Sequence, residues 1–131
     1  AEGYVFIAGG IGIAPITCML KTMADRSDSR PLTLVYATRT LENATFLEEL
    51  DTLKTKLNLN VIHVLENPLE DWQGEKGYPT VDVLKRCLPR DHKKYHYFIC
   101  GPDPMMDMVE TALYKLGVPM SKFHSERFNI V

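Results

Sequence analysis

A chain of 131 residues that is 45% hydrophobic and 24% charged has the apolar material for one domain with a real core and too little length for two. Its formal net charge of −2 gives no general attraction for nucleic acid or an anionic membrane, so an anionic ligand has to be held locally. Its cysteines, Cys18, Cys87 and Cys100, are odd in number and form no C-x-x-C pair, which argues against a disulfide framework or a zinc site and for a reducing, cytoplasmic compartment.

The first apolar run, YVFIA at residues 4–8, ends in glycines and has the pattern of a strand buried on both faces of a parallel sheet. The stretch 3–20 is uncharged, yet Gly9, Gly10, Gly12 and Pro15 break it too often for a membrane helix, and Ala1-Glu2 lacks the basic start of a signal peptide. Pro15 suits the first turn of a helix along which Ile16, Met19, Leu20 and Met23 recur at helical spacing. LTLVYA at 32–37 reads as the second strand, Phe46, Leu47, Leu50, Leu53 and Leu57 as an amphipathic helix, and VIHVL at 61–65 as the third strand. A long polar loop over 67–79 carries Trp72 and Tyr78, placed either to cover a bound nucleotide or to pin the loop. It leads to Thr80, an N-cap for a helix bearing Val81, Leu84 and Leu88. YHYFIC at 95–100 is the fourth strand. GPDPMM then opens a helix with Val109, Ala112, Leu113 and Leu116 on one face, stopped by Gly117 and Pro119, and residues 122–131 supply a fifth strand.

Strands alternating with helices predict an α/β fold, an open parallel five-stranded sheet with helices on both faces and right-handed crossovers. Ligands of such sheets sit at the carboxyl ends of the strands, where strand order reverses. That edge gathers Gly9, Gly10, Gly12, Thr38, Arg39, Glu66, Asn67, Cys100, Gly101, Ser125 and Glu126. The loop glycines remove side chains that would keep a pyrophosphate from the backbone, and the helix behind them offers unpaired N–H groups. The loop departs from the G-x-G-x-x-G fingerprint, since Pro15 stands where the third glycine belongs and no acid ends the second strand; nor is there a G-K-[ST]. On the loop alone, a turn that merely lets strand and helix pack stays open. His92 and His96 do not share a helix face, and no metal site is expected.

GGIGIAP, followed by CGPDPMM and then ERF near the end, with YATRT, FLEEL and GYPT between, resembles the nicotinamide-nucleotide domain of the ferredoxin–NADP reductase superfamily. The likeness covers nearly the whole chain. HYFICGPDPMMD and HSERFNIV are most similar to bacterial flavoreductases related to ferric reductases and NADPH oxidases, with oxygenase reductases and flavohaemoglobins close competitors. The resemblance implies that residues 1–131 are the C-terminal, Rossmann-like NAD(P)-binding domain of a longer flavoreductase, because the family's arginine–aromatic–Ser/Thr flavin motif is absent from the sequence. It implies hydride transfer from NADH or NADPH to FAD held by an upstream FAD-binding domain of the same parent chain. Electrons would then pass to haem, an iron–sulfur centre or ferric iron.

By resemblance, Gly9, Gly10, Ile11, Gly12, Ile13, Ala14 and Pro15 receive the pyrophosphate. Thr38 and Arg39 meet the adenosine end, where a guanidinium could bind the 2′-phosphate of NADP. Cys100, Gly101, Pro102 and Met105 border the nicotinamide, and Cys100, Glu126 and Phe128 are the expected catalytic side chains beside the reacting rings. Arg39 and the absence of an acid at the end of the second strand point toward a 2′-phosphate, while the choice between NAD and NADP stays open. The fragment itself is expected to contact no nucleic acid and no membrane, although its parent could be anchored at a membrane's cytoplasmic face. The rival reading is a non-catalytic nucleotide-binding or redox-sensing docking module, which needs the phosphate loop but not Cys100, Glu126 and Phe128.

Overall fold

Val5, Phe6, Ile7 and Ala8 are all fully buried, as an apolar run covered on both faces of a sheet must be. They form the middle of β1 (Tyr4–Gly9), after which come α1 (Ile13–Asp25), β2 (Leu32–Thr38), α2 (Leu47–Lys56), β3 (Leu59–Leu65), β4 (Glu75–Lys76), α3 (Val81–Cys87), β5 (His96–Pro102), α4 (Asp103–Lys115) and β6 (Phe123–Phe128). This is a computed structural model, and it describes residues 2–128, the side chain of Phe128 excepted. The end of the expected last strand, residues 129–131, lies outside the described residues.

The six strands run parallel in the order β4-β3-β2-β1-β5-β6. The chain lays β1 to β4 outward in one direction and then crosses back to place β5 and β6 on the other side of β1. Strand order therefore reverses between β1 and β5, and the crevice above that reversal is where such sheets bind ligands. Helices α1 and α2 cover one face, packing Ile13, Ile16, Leu20, Leu50 and Leu53 on Phe6, Leu34 and Tyr36. Helices α3 and α4 cover the other, packing Leu84, Met106, Val109 and Leu113 on Val5, Ile7, Val35, Tyr97 and Ile99. Each such side chain contributes about 1.5–3 kcal/mol by leaving water.

The structure corrects the expected strand count from five to six. The added β4 pairs Glu75 and Lys76 with Val64 and Leu65, and the Gly77 amide donates to the Leu65 carbonyl at 2.7 Å. Two polar residues carry no apolar period, so nothing in their pattern marks a strand. Thr80 caps α3 as expected, its hydroxyl accepting from the Val83 amide, but α3 stops at Cys87 and Leu88 is extended because Pro89 follows it. Phe46 precedes α2 in a left-handed conformation instead of opening it. Trp72 pins its loop: the indole Nε1 donates to the Glu75 carbonyl at 2.9 Å.

Candidate nucleotide-binding site

Above the reversal between β1 and β5 lies a groove of about 460 Å³, walled by Gly9 and Gly10, by the end of β2 with Arg39, by Glu66, by Tyr78, and by Pro102 and Met105. Gly10 has φ +55°, and a β-carbon there would meet nothing within 4 Å, so its backbone is strained for other residues and open to the groove. No side chain caps the N-terminus of α1 and no acid stands in its first turn. The positive dipole end of that turn thus remains open to an anion, although the Ile13 amide already donates to the Gly10 carbonyl and Pro15 has no N–H to offer.

Gly12 has a different place from the one expected. A β-carbon on it would overlap the carbonyl oxygen of Cys100 on β5. Its missing side chain lets α1 settle against the sheet, and its β-position does not face the groove. Ile11 is exposed, Ile13 is buried in the core and Ala14 is exposed, so only Gly9 and Gly10 of the loop line the groove itself.

At the far end, the backbones after β2 and β3 are tied together. The Glu66 amide donates to Thr38 O at 3.0 Å and the Asn67 amide to Arg39 O at 2.8 Å. Thr38 is buried and spends its hydroxyl on the Thr40 carbonyl at 3.0 Å, which shapes the turn. The Arg39 side chain is 74% exposed and reaches to 3.9 Å from Glu66 Oε2. This carboxylate stands at the strand edge where it was expected, but with a role the sequence did not assign: the fingerprint acid belongs after the second strand, whereas the parallel register puts the end of β3 directly beside it. Tyr78 also lines the groove, where an aromatic covering a nucleotide would stand, and so does Asn43, which was not expected there.

Cys100 and Glu126 do not open into this groove. They share a second one, of about 430 Å³, on the α1 face of the same strand ends, with Pro15, Ile16 and Met19 on one side and Phe98 and His124 beneath. Cys100 and Glu126 are direct cross-strand partners. Burial, helped by the Glu126 charge, pushes the Cys100 thiol up to about 11, so it stays protonated at neutral pH. Gly101 and Pro102 form the crest between the two grooves, and Pro102 pairs with Phe128 in the sheet; the Phe128 side chain lies outside the described residues. Among the described residues no group of three His, Cys, Asp or Glu is placed to hold a metal ion, and no helix is long and apolar enough to cross a membrane.

A family model described as oxidoreductase NAD-binding domain matches residues 6–111. The ferredoxin reductase component of 3-ketosteroid-9-alpha-monooxygenase from Rhodococcus rhodochrous is 34% identical over 128 residues, covering 96% of this chain and 34% of its own length. NADH-cytochrome b5 reductase 1 of Kluyveromyces lactis is 34% identical over 129 residues, covering 93% of this chain and 46% of its own length. Among solved structures, the CS-b5R domains of human Ncb5or in the NAD+ form superpose with a TM-score of 0.81 at 28% identity, over 95% of this chain and 36% of that one. The chain thus spans a third to a half of the length of these relatives. With a family model over most of its length and the strand order that such a domain requires, the chain belongs to the oxidoreductase NAD-binding domains of the ferredoxin reductase superfamily.

Proposed function

We propose that this chain is the nicotinamide-nucleotide half of an FAD-dependent oxidoreductase and that it positions NADH for hydride transfer. The observation that carries the reading is the pair of grooves back to back on the same strand ends. One is suited to a dinucleotide and the other presents Cys100 and Glu126. The backbone of Gly10 to Ala14 receives the pyrophosphate, Thr38 and Arg39 frame the adenosine, and Cys100, Glu126 and Phe128 flank the site of hydride transfer. The protonated Cys100 acts there by shape and by its S–H dipole, not as a nucleophile.

Pro15, Cys100 and Glu126 of the second groove would border the flavin while an FAD-binding domain upstream in the parent chain holds the rest. FAD, when bound, supplies the hydride acceptor and the means to release electrons singly. The chain's own contribution is geometry, because donor and acceptor atoms must approach to about 3–3.5 Å. The onward acceptor is a haem, an iron–sulfur centre or ferric iron, in keeping with reductase relatives that serve a monooxygenase and cytochrome b5. Unpaired cysteines fit a reducing, cytoplasmic setting.

Glu66 decides the nucleotide. A carboxylate beside Arg39 accepts from ribose hydroxyls and repels a 2′-phosphate, so the groove favours NADH over NADPH. Calorimetric titration of the chain with both nucleotides should show this preference, and Glu66→Gln should shrink it by about 1.5–3 kcal/mol, the scale of a hydrogen bond to a charged group. Tighter binding of NADPH by the unaltered chain would return the selectivity to Arg39 alone.

A further inference from the structure

A groove of about 470 Å³, separate from the two already described, opens beyond the ends of β2 and β3. It shares no lining residue with either of them. In the sheet β3 is three places from β5, roughly 14 Å at the usual strand spacing, so the groove also lies away from Cys100 and Glu126.

Both of its walls are fixed. On one side the Thr40 hydroxyl accepts from the Asn43 amide and holds the turn that carries Leu41 and Glu42. On the other, the Trp72 indole donates to the Glu75 carbonyl and the Trp72 amide to the Leu69 carbonyl, and a β-carbon on Gly74 would lie 2.5 Å from the indole ring. Leu65, the last residue of β3, is buried and lines the groove as well. In this rigid setting Leu69 is 80% exposed, the most exposed large apolar side chain among the described residues, and Leu41 is 40% exposed. A ligand that covers them removes apolar surface from water and orders little of the protein in doing so.

The charges of the lining have one sign. Glu42 and Asp71 supply them, no Lys, Arg or His lines the groove, and neither carboxylate has an ion-pair partner among the described residues. We propose that this groove binds a small amphipathic monocation, a primary ammonium on an aryl or branched alkyl body, with the body against Leu41, Leu69 and the Trp72 ring and the ammonium toward Glu42 and Asp71. The proposal goes beyond nucleotide binding and does not depend on it. A neutral molecule of the same shape gains only the apolar part, and an anion is repelled, so charge sets the class of ligand.

Amide-resolved titration of the 15N-labelled 131-residue chain with phenethylammonium, phenethyl alcohol and phenylpropanoate tests the site. The ammonium probe should shift Leu41, Leu69 and Trp72 along one saturating curve and bind about fivefold more tightly than the alcohol, the scale of two exposed ion pairs, with the carboxylate probe weaker still. The double variant Glu42→Gln, Asp71→Asn should bring ammonium and alcohol within about twofold of each other. Leu69→Ser should weaken both in equal proportion. Equal binding of ammonium and alcohol by the unaltered chain, an ammonium advantage that survives in the double variant, or no saturable shift at Leu41, Leu69 and Trp72 would overturn the proposal.

Discussion

Gly10 and Gly12 sit two residues apart and answer to different constraints. At Gly10 the φ of +55° costs an L-residue about 1–2 kcal/mol, but the space around it is open. Gly10→Ala should therefore fold, melt slightly lower and bind NADH more weakly, because its methyl group enters the groove. At Gly12 a methyl group would run into the Cys100 carbonyl, a backbone atom that cannot turn aside. Gly12→Ala should lose about 3 kcal/mol or more of stability, at or beyond the upper end of overpacking costs. Melting curves and NADH titrations of both variants check the contrast; a Gly12→Ala protein with the unaltered melting temperature would contradict it.

His63 gives the molecule a pH dependence whose sign follows from its surroundings. It lies on β3 against the Tyr36 ring, with Nδ1 buried and lacking a hydrogen-bond partner among the described residues. Burial, reinforced by Lys54, lowers its pKa from the ordinary 6.5. The folded state favours neutral imidazole, so its share of stability is complete above pH 6.5 and is lost as pH falls below that value, where the unfolded chain takes up the proton first. Urea midpoints should fall between pH 7.5 and pH 5, and His63→Phe should flatten that slope; an unchanged slope would assign the acid sensitivity elsewhere.

Among the elements, β6 is an edge strand that brings Glu126 opposite Cys100, and it is held from both sides. On the α1 side, His124 stacks on Phe98 with ring centroids 4.8 Å apart. On the α4 side, the Arg127 guanidinium meets Asp103 at 3.2 Å, Asp107 at 2.9 Å and also Glu110, three carboxylates along one stripe of the helix. Single exposed ion pairs contribute little, about 0–1 kcal/mol, but one guanidinium shared among three acids fixes a strand end in place. Arg127→Ala should accelerate amide exchange over residues 124–127 and leave β1 and β2 unchanged.

The elements with long-range apolar logic were legible in the sequence. A run such as YVFIA admits only a doubly covered strand, and Ile16, Leu20, Val109 and Leu113 lie inward as their spacing predicts. Three features were not legible, for different reasons. β4 is stabilised by pairing with β3 and has no pattern of its own. The partner of Gly12 is a carbonyl far along the chain on β5. Glu66 was placed at the ligand edge, but its position beside Arg39 comes only through the register between β2 and β3. Local pattern encodes burial, whereas these features depend on which strands become neighbours.

For the molecule as a whole, strand order is what turns these parts into a site. Because β5 is laid beside β1 from the opposite side, Gly9 and Gly10, Met105 and Pro102 converge over one face of two strand ends, and Cys100 and Glu126 emerge on the other. A third groove, of about 470 Å³ and lined by Leu41, Leu69 and Trp72, lies outside this arrangement and should not respond to nucleotide. Titration of the 15N-labelled chain with NADH, followed amide by amide, is the most direct test. The amides of Gly9, Gly10, Arg39, Glu66 and Tyr78 should shift together along a single saturating curve, while those of Leu41, Leu69 and Trp72 stay fixed. Shifts centred on the third groove, or none at Gly9 and Gly10 at saturating NADH, would contradict the assignment of the groove above β1 and β5 as the dinucleotide site.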